Sequence, residues 1–85
     1  MMILKSENKK QKLISAKDIV QKYNVTYQTI NHYTNFGLLH VVTKNGNVRI
    51  YDEAQISYRL KKISQLISEG YPLRLISKML NERQA

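Results

Sequence analysis

The chain is 85 residues long, and several residue types that define large classes of protein are missing from it or scarce. It has no cysteine, which excludes disulfide bonds, thiolate metal sites and cysteine nucleophiles. Its three glycines do not form the Gly-rich pattern of a phosphate-cradling loop. Its apolar runs are too short for a signal peptide or a membrane span. We therefore expect one small cytoplasmic domain with no membrane partner.

Groups that support catalysis are scarce as well. His32 and His40 are the only histidines, and no nucleophile–base pairing can be read from their spacing. With no cysteine to join them, a mixed His/Cys metal site is also excluded. We expect this protein to be no enzyme and to hold no metal and no other cofactor.

Acidic residues are missing from the middle of the chain. The 14 Lys and Arg outnumber the 6 Asp and Glu, giving a net charge of +8, and no acid lies between Ile19 and Tyr51. A surface that approaches phosphates should lack carboxylates, because each would repel the nucleic-acid backbone. The charge favours an anionic partner, either nucleic acid or an acidic membrane surface. A lysine-rich surface that is merely solvated is the alternative.

The first part of the chain predicts a basic arm followed by a helix. Residues 1–12 are polar and lysine-rich, and we expect a flexible arm that either follows phosphates or only adds solubility, with a short strand at Leu13–Ile14. Ser15 followed by Asp18 resembles a capping box, the start of a first helix. That helix is expected to end near Asn24, because asparagine tolerates the left-handed conformation.

A second helix is predicted after a short turn. Thr26 is its expected N-cap, the helix runs to about Asn35, and Gly37 occupies the position typical of a C-terminal glycine. Ile30 and Phe36 are expected to face inward, whereas most other side chains of this helix are polar and uncharged. Two short helices joined by a turn of this length predict a helix-turn-helix.

Alternating apolar residues predict a β-hairpin over about 40–51. The Asn45-Gly46 pair favours a type I′ turn. One face is expected to pack inward, and its residues are Val41, Thr43, Val48 and Ile50. The other face is expected to meet solvent or phosphate, and its residues are Val42, Lys44, Asn47 and Arg49.

Two further helices complete the predicted fold. Asp52 is expected to cap the third helix, Gly70 to end it, and Pro72 to lie in the first turn of the fourth. The apolar stripe of the third helix comprises Ile56, Leu60, Ile63, Leu66 and Ile67. That of the fourth comprises Leu73, Ile76, Met79 and Leu80. The sequence thus predicts a mainly α domain over 13–85 with four helices and one hairpin.

Four segments of the chain resemble motifs of the MerR family. The segment 25–39, VTYQTINHYTNFGLL, is similar to V-S-x-x-T-L-R-Y-Y-E-x-x-G-L-L, and the segment 45–51, NGNVRIY, to the wing motif N-G-Y-R-x-Y. The segment 51–56, YDEAQI, resembles the entry to the third helix, Y-[ST]-x-x-[DE]-[LIV]. The segment 67–73, ISEGYPL, resembles the joint L-x-x-x-G-[FY]-S-L. The resemblance covers about Leu13 to Leu80 and implies a winged helix-turn-helix of MerR type.

This resemblance implies sequence-specific binding of duplex DNA in transcription regulation, on the nucleoid of a bacterial cytoplasm. The recognition helix, about 26–35, would enter the major groove, and the wing, about 40–51, would lie on the phosphate backbone. Side-chain chemistry points to the same surfaces, because amides bond base edges whereas hydroxyl and basic groups bond phosphates. The expected DNA-binding residues are Thr26, Tyr27, Gln28, Asn31, His32, Tyr33, Lys44, Asn45 and Arg49.

The chain departs from the family pattern at several positions of the reading helix. Asn31 replaces a common arginine, His32 replaces the first tyrosine of a pair, and Thr34 stands where an acid is common. The wing is one residue longer than the family motif. A bidentate contact from Asn31 to adenine would favour A·T-rich sites.

The printed sequence ends before the long dimerisation helix and effector-sensing part that the family's regulators carry. We therefore expect no effector pocket in this chain, and a homodimer or RNA polymerase as partners only of a longer native form. Two other functions on the same fold stay open. An excisionase-type or recombinase-associated factor should prefer direct or single repeats in DNA. A protein-interaction module should bind its partner with little dependence on salt.

Overall fold

The computed structural model describes residues 12–82, so that nearly all of the arm expected over 1–12 lies outside the described residues. The described part contains four helices and three strands. In chain order they are β1 (Leu13–Ser15), α1 (Ala16–Tyr23), α2 (Tyr27–Asn35), β2 (Val41–Asn45), β3 (Val48–Asp52), α3 (Glu53–Ser68) and α4 (Leu73–Glu82). This order confirms the mainly α fold with four helices. None of the described helices is long and apolar enough to cross a bilayer.

Helices α1 and α2 form the predicted helix-turn-helix, and their caps are those expected. The hydroxyl of Ser15 accepts a hydrogen bond from an amide in the first turn of α1 at 3.2 Å, and Asn24 ends α1 with φ 56°. Thr26 Oγ1 accepts from the Thr29 amide at 3.0 Å, and Gly37 follows α2 with φ 79°. Each hydroxyl satisfies an amide that the start of a helix leaves without a partner.

The hairpin turn differs from the prediction by one residue. Asn45 pairs with Val48, so Gly46 and Asn47 are the two loop residues. Gly46 has a positive φ of 67°, whereas Asn47 does not have a positive φ. A positive φ at the first loop residue alone is typical of a type II′ turn. The predicted type I′ turn at Asn45-Gly46 is therefore wrong.

The predicted inward face of the hairpin is wrong as well. An irregularity between Val41 and Thr43 makes Val41 pair with Tyr51 and Thr43 with Ile50. A bulge of this kind moves one strand's side chains to the opposite face, so Val41 no longer shares a face with Thr43. Val41 and Val48 remain 37% and 44% exposed. The residue of the hairpin that enters the core is instead Tyr51, with 0% exposure.

The hairpin is also part of a larger sheet. Strand β1 pairs antiparallel with β3, which gives the strand order β1-β3-β2. The short strand expected at Leu13–Ile14 is thus confirmed, and it converts the isolated hairpin into a three-stranded sheet. The same pairing brings the carbonyl of Lys12 to the first amide of α3, Glu53, at 2.9 Å. Asp52 occupies the N-cap position of α3 without a capping bond from its side chain.

The core lies between the sheet and the four helices. Its fully buried large residues are Ile19, Ile30, Leu38, Leu39, Tyr51, Ile56, Ile63 and Ile76. Three residues expected to face inward do not: Phe36, Ile67 and Met79 are 37%, 44% and 36% exposed. Adjacent helix positions point about 100° apart, so only one residue of each pair Leu66–Ile67 and Met79–Leu80 can face the core. Pro72 precedes α4, and its carbonyl accepts from an amide of the first turn at 3.0 Å.

Candidate nucleic-acid interface

The side of α2 that faces away from the core is polar. Ile30 is fully buried, and the neighbouring Thr34 hydroxyl bonds the carbonyl of Ile30 at 2.7 Å. Tyr27 and Asn31, four residues apart, share a different face of the helix, and both are exposed. The Tyr27 side chain is 51% exposed, although the hydrophobic core lies on the other side of the same helix. This face of α2 is therefore available to a ligand.

The wing, which is the hairpin β2–β3, is joined to that face by one hydrogen bond. Arg49 Nη1 donates to Asn31 Oδ1 at 3.1 Å. A groove of about 380 Å³ lies beside this contact, between the start of α1, helix α2 and the wing. We refer to it as the wing groove, and its lining residues are Ser15, Ala16, Lys17, Tyr27, Asn31, Asn47, Val48 and Arg49.

The wing groove and its rim are positively charged. Lys17 and Arg49 line the groove, and Lys44 is paired with Arg49 across the two strands. Like charges in directly opposed positions of a sheet destabilise it. Within residues 12–82 no acidic side chain lines the groove to offset them. An anion such as a phosphate would relieve this repulsion.

The structure brings several of the expected DNA-binding residues to this side. Tyr27, Asn31 and Arg49 meet in the wing groove. Lys44 and Asn45 follow on β2, and both are exposed. Lys44 shares the sheet face of Arg49, whereas Asn45 lies on the other face.

The other expected residues have different surroundings. Gln28 and His32 are exposed on α2, and the ring of His32 meets that of Phe36 edge-on at 5.0 Å. Thr26 caps α2, and its hydroxyl also donates to Thr29 Oγ1 at 3.0 Å. These contacts give Thr26 a structural role whether or not a ligand is bound.

Tyr33 is not brought to the wing groove. It is half-buried against the core and lines a separate groove of about 640 Å³. That groove lies between α1, α2 and α3 and is mostly apolar, with Tyr23, Leu60 and Ile67 among its lining residues. Burial raises the pKa of the Tyr33 phenol above its ordinary value. Tyr33 and Asn31 therefore occupy different faces of α2.

Sequence reasoning missed Lys17 as a member of the site. Lys17 is in the first turn of α1, where its sequence context shows only a helix start. It reaches the wing groove because β1 pairs with β3 and so places the start of α1 beside the wing. A tertiary strand pairing of this kind leaves no signal near Lys17 itself.

A cluster of polar side chains fixes the segment 36–40 that joins α2 to the wing. Arg59 on α3 donates to the carbonyls of Leu38 at 3.2 Å and Leu80 at 3.3 Å. Asn81 on α4 donates to the carbonyl of Gly37 at 2.9 Å. Burial lowers the pKa of the Arg59 guanidinium from its ordinary value. These bonds hold the joint between α2 and the wing, and so fix the geometry of the interface.

Comparison with known proteins agrees with this architecture. A protein-family model described as a MerR HTH family regulatory protein matches residues 14–83. That range includes every described helix and strand except the first residue of β1. No curated protein and no solved structure matches the chain significantly.

Proposed function

This chain belongs to the MerR family of helix-turn-helix regulatory proteins, and from that premise we propose that it reads duplex DNA by sequence. Helix α2 enters the major groove, and the wing lies along the phosphate backbone. A B-DNA major groove, about 12 Å wide, admits an α-helix whose exposed side chains contact base edges. The family is one of DNA-binding regulators, and the proposal assigns no reaction to the chain.

The observation that carries the proposal is the meeting of an amide and a guanidinium in a positively charged groove. Asn31 on the helix and Arg49 on the wing are in direct contact at 3.1 Å, with Lys17 beside them. Amide side chains recognise base edges, whereas guanidinium and ammonium groups bind phosphates. One surface thus offers both kinds of contact within the reach of a single DNA groove and its flanking backbone.

The remaining residues are assigned by their position. Tyr27 and Gln28, at the exposed start of α2, are proposed to contact base edges. Lys44 and Asn45 are proposed to bind phosphates from the wing. We propose that His32, Thr26 and Tyr33 touch only the sugar–phosphate backbone. The Thr26 hydroxyl is occupied as the cap of α2 and the Tyr33 ring is half-buried, so neither group is free to reach a base edge.

The DNA sites that the protein binds would determine its role in regulating transcription. We propose that the protein acts on bacterial chromosomal DNA in the cytoplasm. A regulator that functions as a homodimer should recognise two inverted half-sites, and RNA polymerase would be a further partner of a longer native form. An excisionase-type factor on the same fold should recognise single or direct repeats instead, so the layout of the bound sequence distinguishes the two roles.

The test is selection of bound sequences from a random duplex DNA pool at near-physiological salt. We expect one enriched motif and an affinity that falls steeply with salt, with a log–log slope of about −0.9 for each phosphate neutralised. Binding that enriches no motif would overturn the proposal. If the affinity also hardly changes with salt, the result would favour a protein-interaction module, because the absence of salt dependence would exclude a phosphate interface.

A further inference from the structure

We infer that Arg49 is a positioning residue that sets which base Asn31 reads. This inference rests on the proposed function, since it assumes that α2 enters a DNA groove. In it, the wing arginine holds the Asn31 side chain in one orientation, in which Asn31 reads its base mainly as a hydrogen-bond donor. The wing then contributes to sequence preference as well as to backbone contact.

The first step concerns which end of the Asn31 amide faces the wing. Arginine has five N–H donors and no acceptor, so only the amide oxygen can be its partner. Arg49 Nη1 accordingly contacts Oδ1, at 3.1 Å. A 180° flip of the amide would bring two donor groups together and lose the bond. The contact therefore fixes the orientation of the Asn31 side chain as well as its position.

The second step concerns what Asn31 still has to offer a base. Its bond to a charged donor occupies one of the two lone pairs on Oδ1. Within residues 12–82, neither N–H group of the Asn31 Nδ2 makes a side-chain hydrogen bond, and the one such bond of this residue uses its Oδ1. The free capacity of the amide is thus weighted toward donation. The Asn31 amide is therefore better matched to guanine, whose N7 and O6 are two adjacent acceptors. Adenine offers the acceptor N7 but also a donor, N6, which would have to bond Oδ1.

The third step concerns the strength of the contact. A hydrogen bond with one charged partner is about twice as strong as a neutral one. Arg49 is only half-exposed, which limits the orientations open to its guanidinium. The side chain of Asn31 is thus ordered before DNA arrives, which lowers the entropy cost of reading a base.

The alternative hypothesis, that Arg49 only binds phosphate, predicts a different result. Backbone contacts carry no sequence information, so their loss weakens binding equally on all sequences. The guanidinium of Arg49 retains further N–H groups that can bind a phosphate while Nη1 stays on Asn31. The two roles are therefore compatible in one side chain, and only the base preference separates them.

The experiment compares selected motifs from the random duplex pool for the wild type, Asn31→Ala, Arg49→Ala and Lys44→Ala. We expect the wild type to prefer guanine at one position and Asn31→Ala to flatten that position. Arg49→Ala should also lose about tenfold of discrimination there, a loss typical of one base contact. Lys44→Ala is the matched control, because it removes a cation from the same face and should weaken binding without changing the motif.

A further variant separates holding from reading. Asn31→Asp keeps an oxygen for Arg49 but removes both N–H donors, so the guanine preference should disappear although the contact persists. If Arg49→Ala weakens binding uniformly and leaves the motif unchanged, the inference is wrong while the proposed function stands. If the wild type enriches adenine at the position that Asn31→Ala flattens, the donor reading is wrong. If the wild type enriches no motif at all, the proposed function fails and the inference with it.

Discussion

Two arginines, Arg49 on the wing and Arg59 on α3, have contrasting surroundings, one beside an open groove and the other against backbone carbonyls. Arg49 bonds one exposed side chain on α2 and borders an open groove. Arg59 bonds two backbone carbonyls and the side chain of Asn81. Burial lowers the pKa of Arg59. The same residue type thus borders an open groove at one site and makes three hydrogen bonds within the protein at the other.

The difference follows from what surrounds each arginine. Arg59 faces the carbonyl of Leu38, in the joint after α2, and the carbonyl of Leu80 on α4. Arg49 faces another cation across the sheet, and within residues 12–82 no acid lines the groove beside it. A net charge of +8 therefore does not measure the binding surface, since part of it serves the fold. Basic residues that serve the fold are therefore distinguished from those that border the groove by their contacts, and not by their charge.

The largest expected effect is that of the substitution Arg59→Ala, which tests whether Arg59 serves the stability of the fold. The variant leaves the carbonyls of Leu38 and Leu80 without their charged donor, which should lower the free energy of unfolding by about 2–3 kcal/mol. For a domain of this size that is a fall of roughly 10 °C or more in Tm. Thermal and urea unfolding, followed by circular dichroism, would measure it.

Arg74→Ala is the matched control, since Arg74 is exposed on α4. It should change stability by no more than about 0.5 kcal/mol. Below its Tm, Arg59→Ala should retain the wild-type DNA motif. An Arg59 variant that is as stable as the wild type but has lost its DNA motif would reverse the assignment of the two arginines.

The second prediction concerns a buried hydroxyl that links α2 to the wing. Thr34 donates its proton to the carbonyl of Ile30, so in its 2.9 Å contact with Tyr51 the tyrosine must be the donor. Tyr51→Phe should cost about 1 kcal/mol, because one buried hydrogen bond is lost and no donor is stranded. Tyr58→Phe, at a residue 54% exposed, is the control and should be neutral. Equal losses from both variants would show that the hydroxyl bond is not the cause.

Much of the fold was predictable because its signals are local. The caps at Ser15 and Thr26 and the left-handed Asn24 each depend on residues within one turn. The same reasoning failed at the wing, where the turn begins at Gly46 and Val41 pairs with Tyr51. Asparagine and glycine suit more than one turn type, and a bulge shifts the register without a local signature.

The composition of the candidate interface was predictable, and its arrangement less so. The acid-free stretch of the chain contains two residues that the structure brings to the wing groove, Asn31 and Arg49. The sequence could not show that these two side chains bond each other, nor that Lys17 joins them, because both depend on strand pairing. It also could not separate Tyr33 from Asn31, since residues two apart on a helix point in different directions.

A third prediction extends the comparison to lysines. Lys17 lines the wing groove, whereas Lys78 is exposed on α4, a helix with no residue in that groove. Lys17→Ala should reduce DNA affinity several-fold and lower the salt slope by about one unit, as for the loss of one phosphate contact. Lys78→Ala should change neither. Equal effects of the two variants would mean that the whole charge of the domain, and not the wing groove, attracts DNA.

The smallest predicted effect is on stability, and it comes from an ion pair that joins two helices and lies outside the wing groove. Lys22 on α1 donates to the carboxylate of Glu53 at the start of α3, and Tyr23 donates to the same oxygen at 3.2 Å. The hydrogen bond from Lys22 holds the pKa of the Glu53 carboxyl below its ordinary value of 4.5. The folded state therefore favours the ionised carboxyl, and the pair stabilises the protein above pH 4.5. This contribution is lost as the pH falls below 4.5 through the lowered folded value.

Glu53→Gln should remove this pH dependence. The difference in unfolding free energy between wild type and variant is expected to be constant between pH 4.5 and pH 10.5 and to shrink at more acid pH, as measured by urea unfolding at several pH values. The pKa of Lys22 is raised above 10.5 by the same bond, so the difference should also shrink as the pH rises above 10.5. Glu82→Gln, at an exposed residue of α4, is the control for general charge effects. A difference for Glu53→Gln that stays constant below pH 4.5 would show that the pair, although formed, contributes nothing to the stability of the fold, as is common for ion pairs in contact with water.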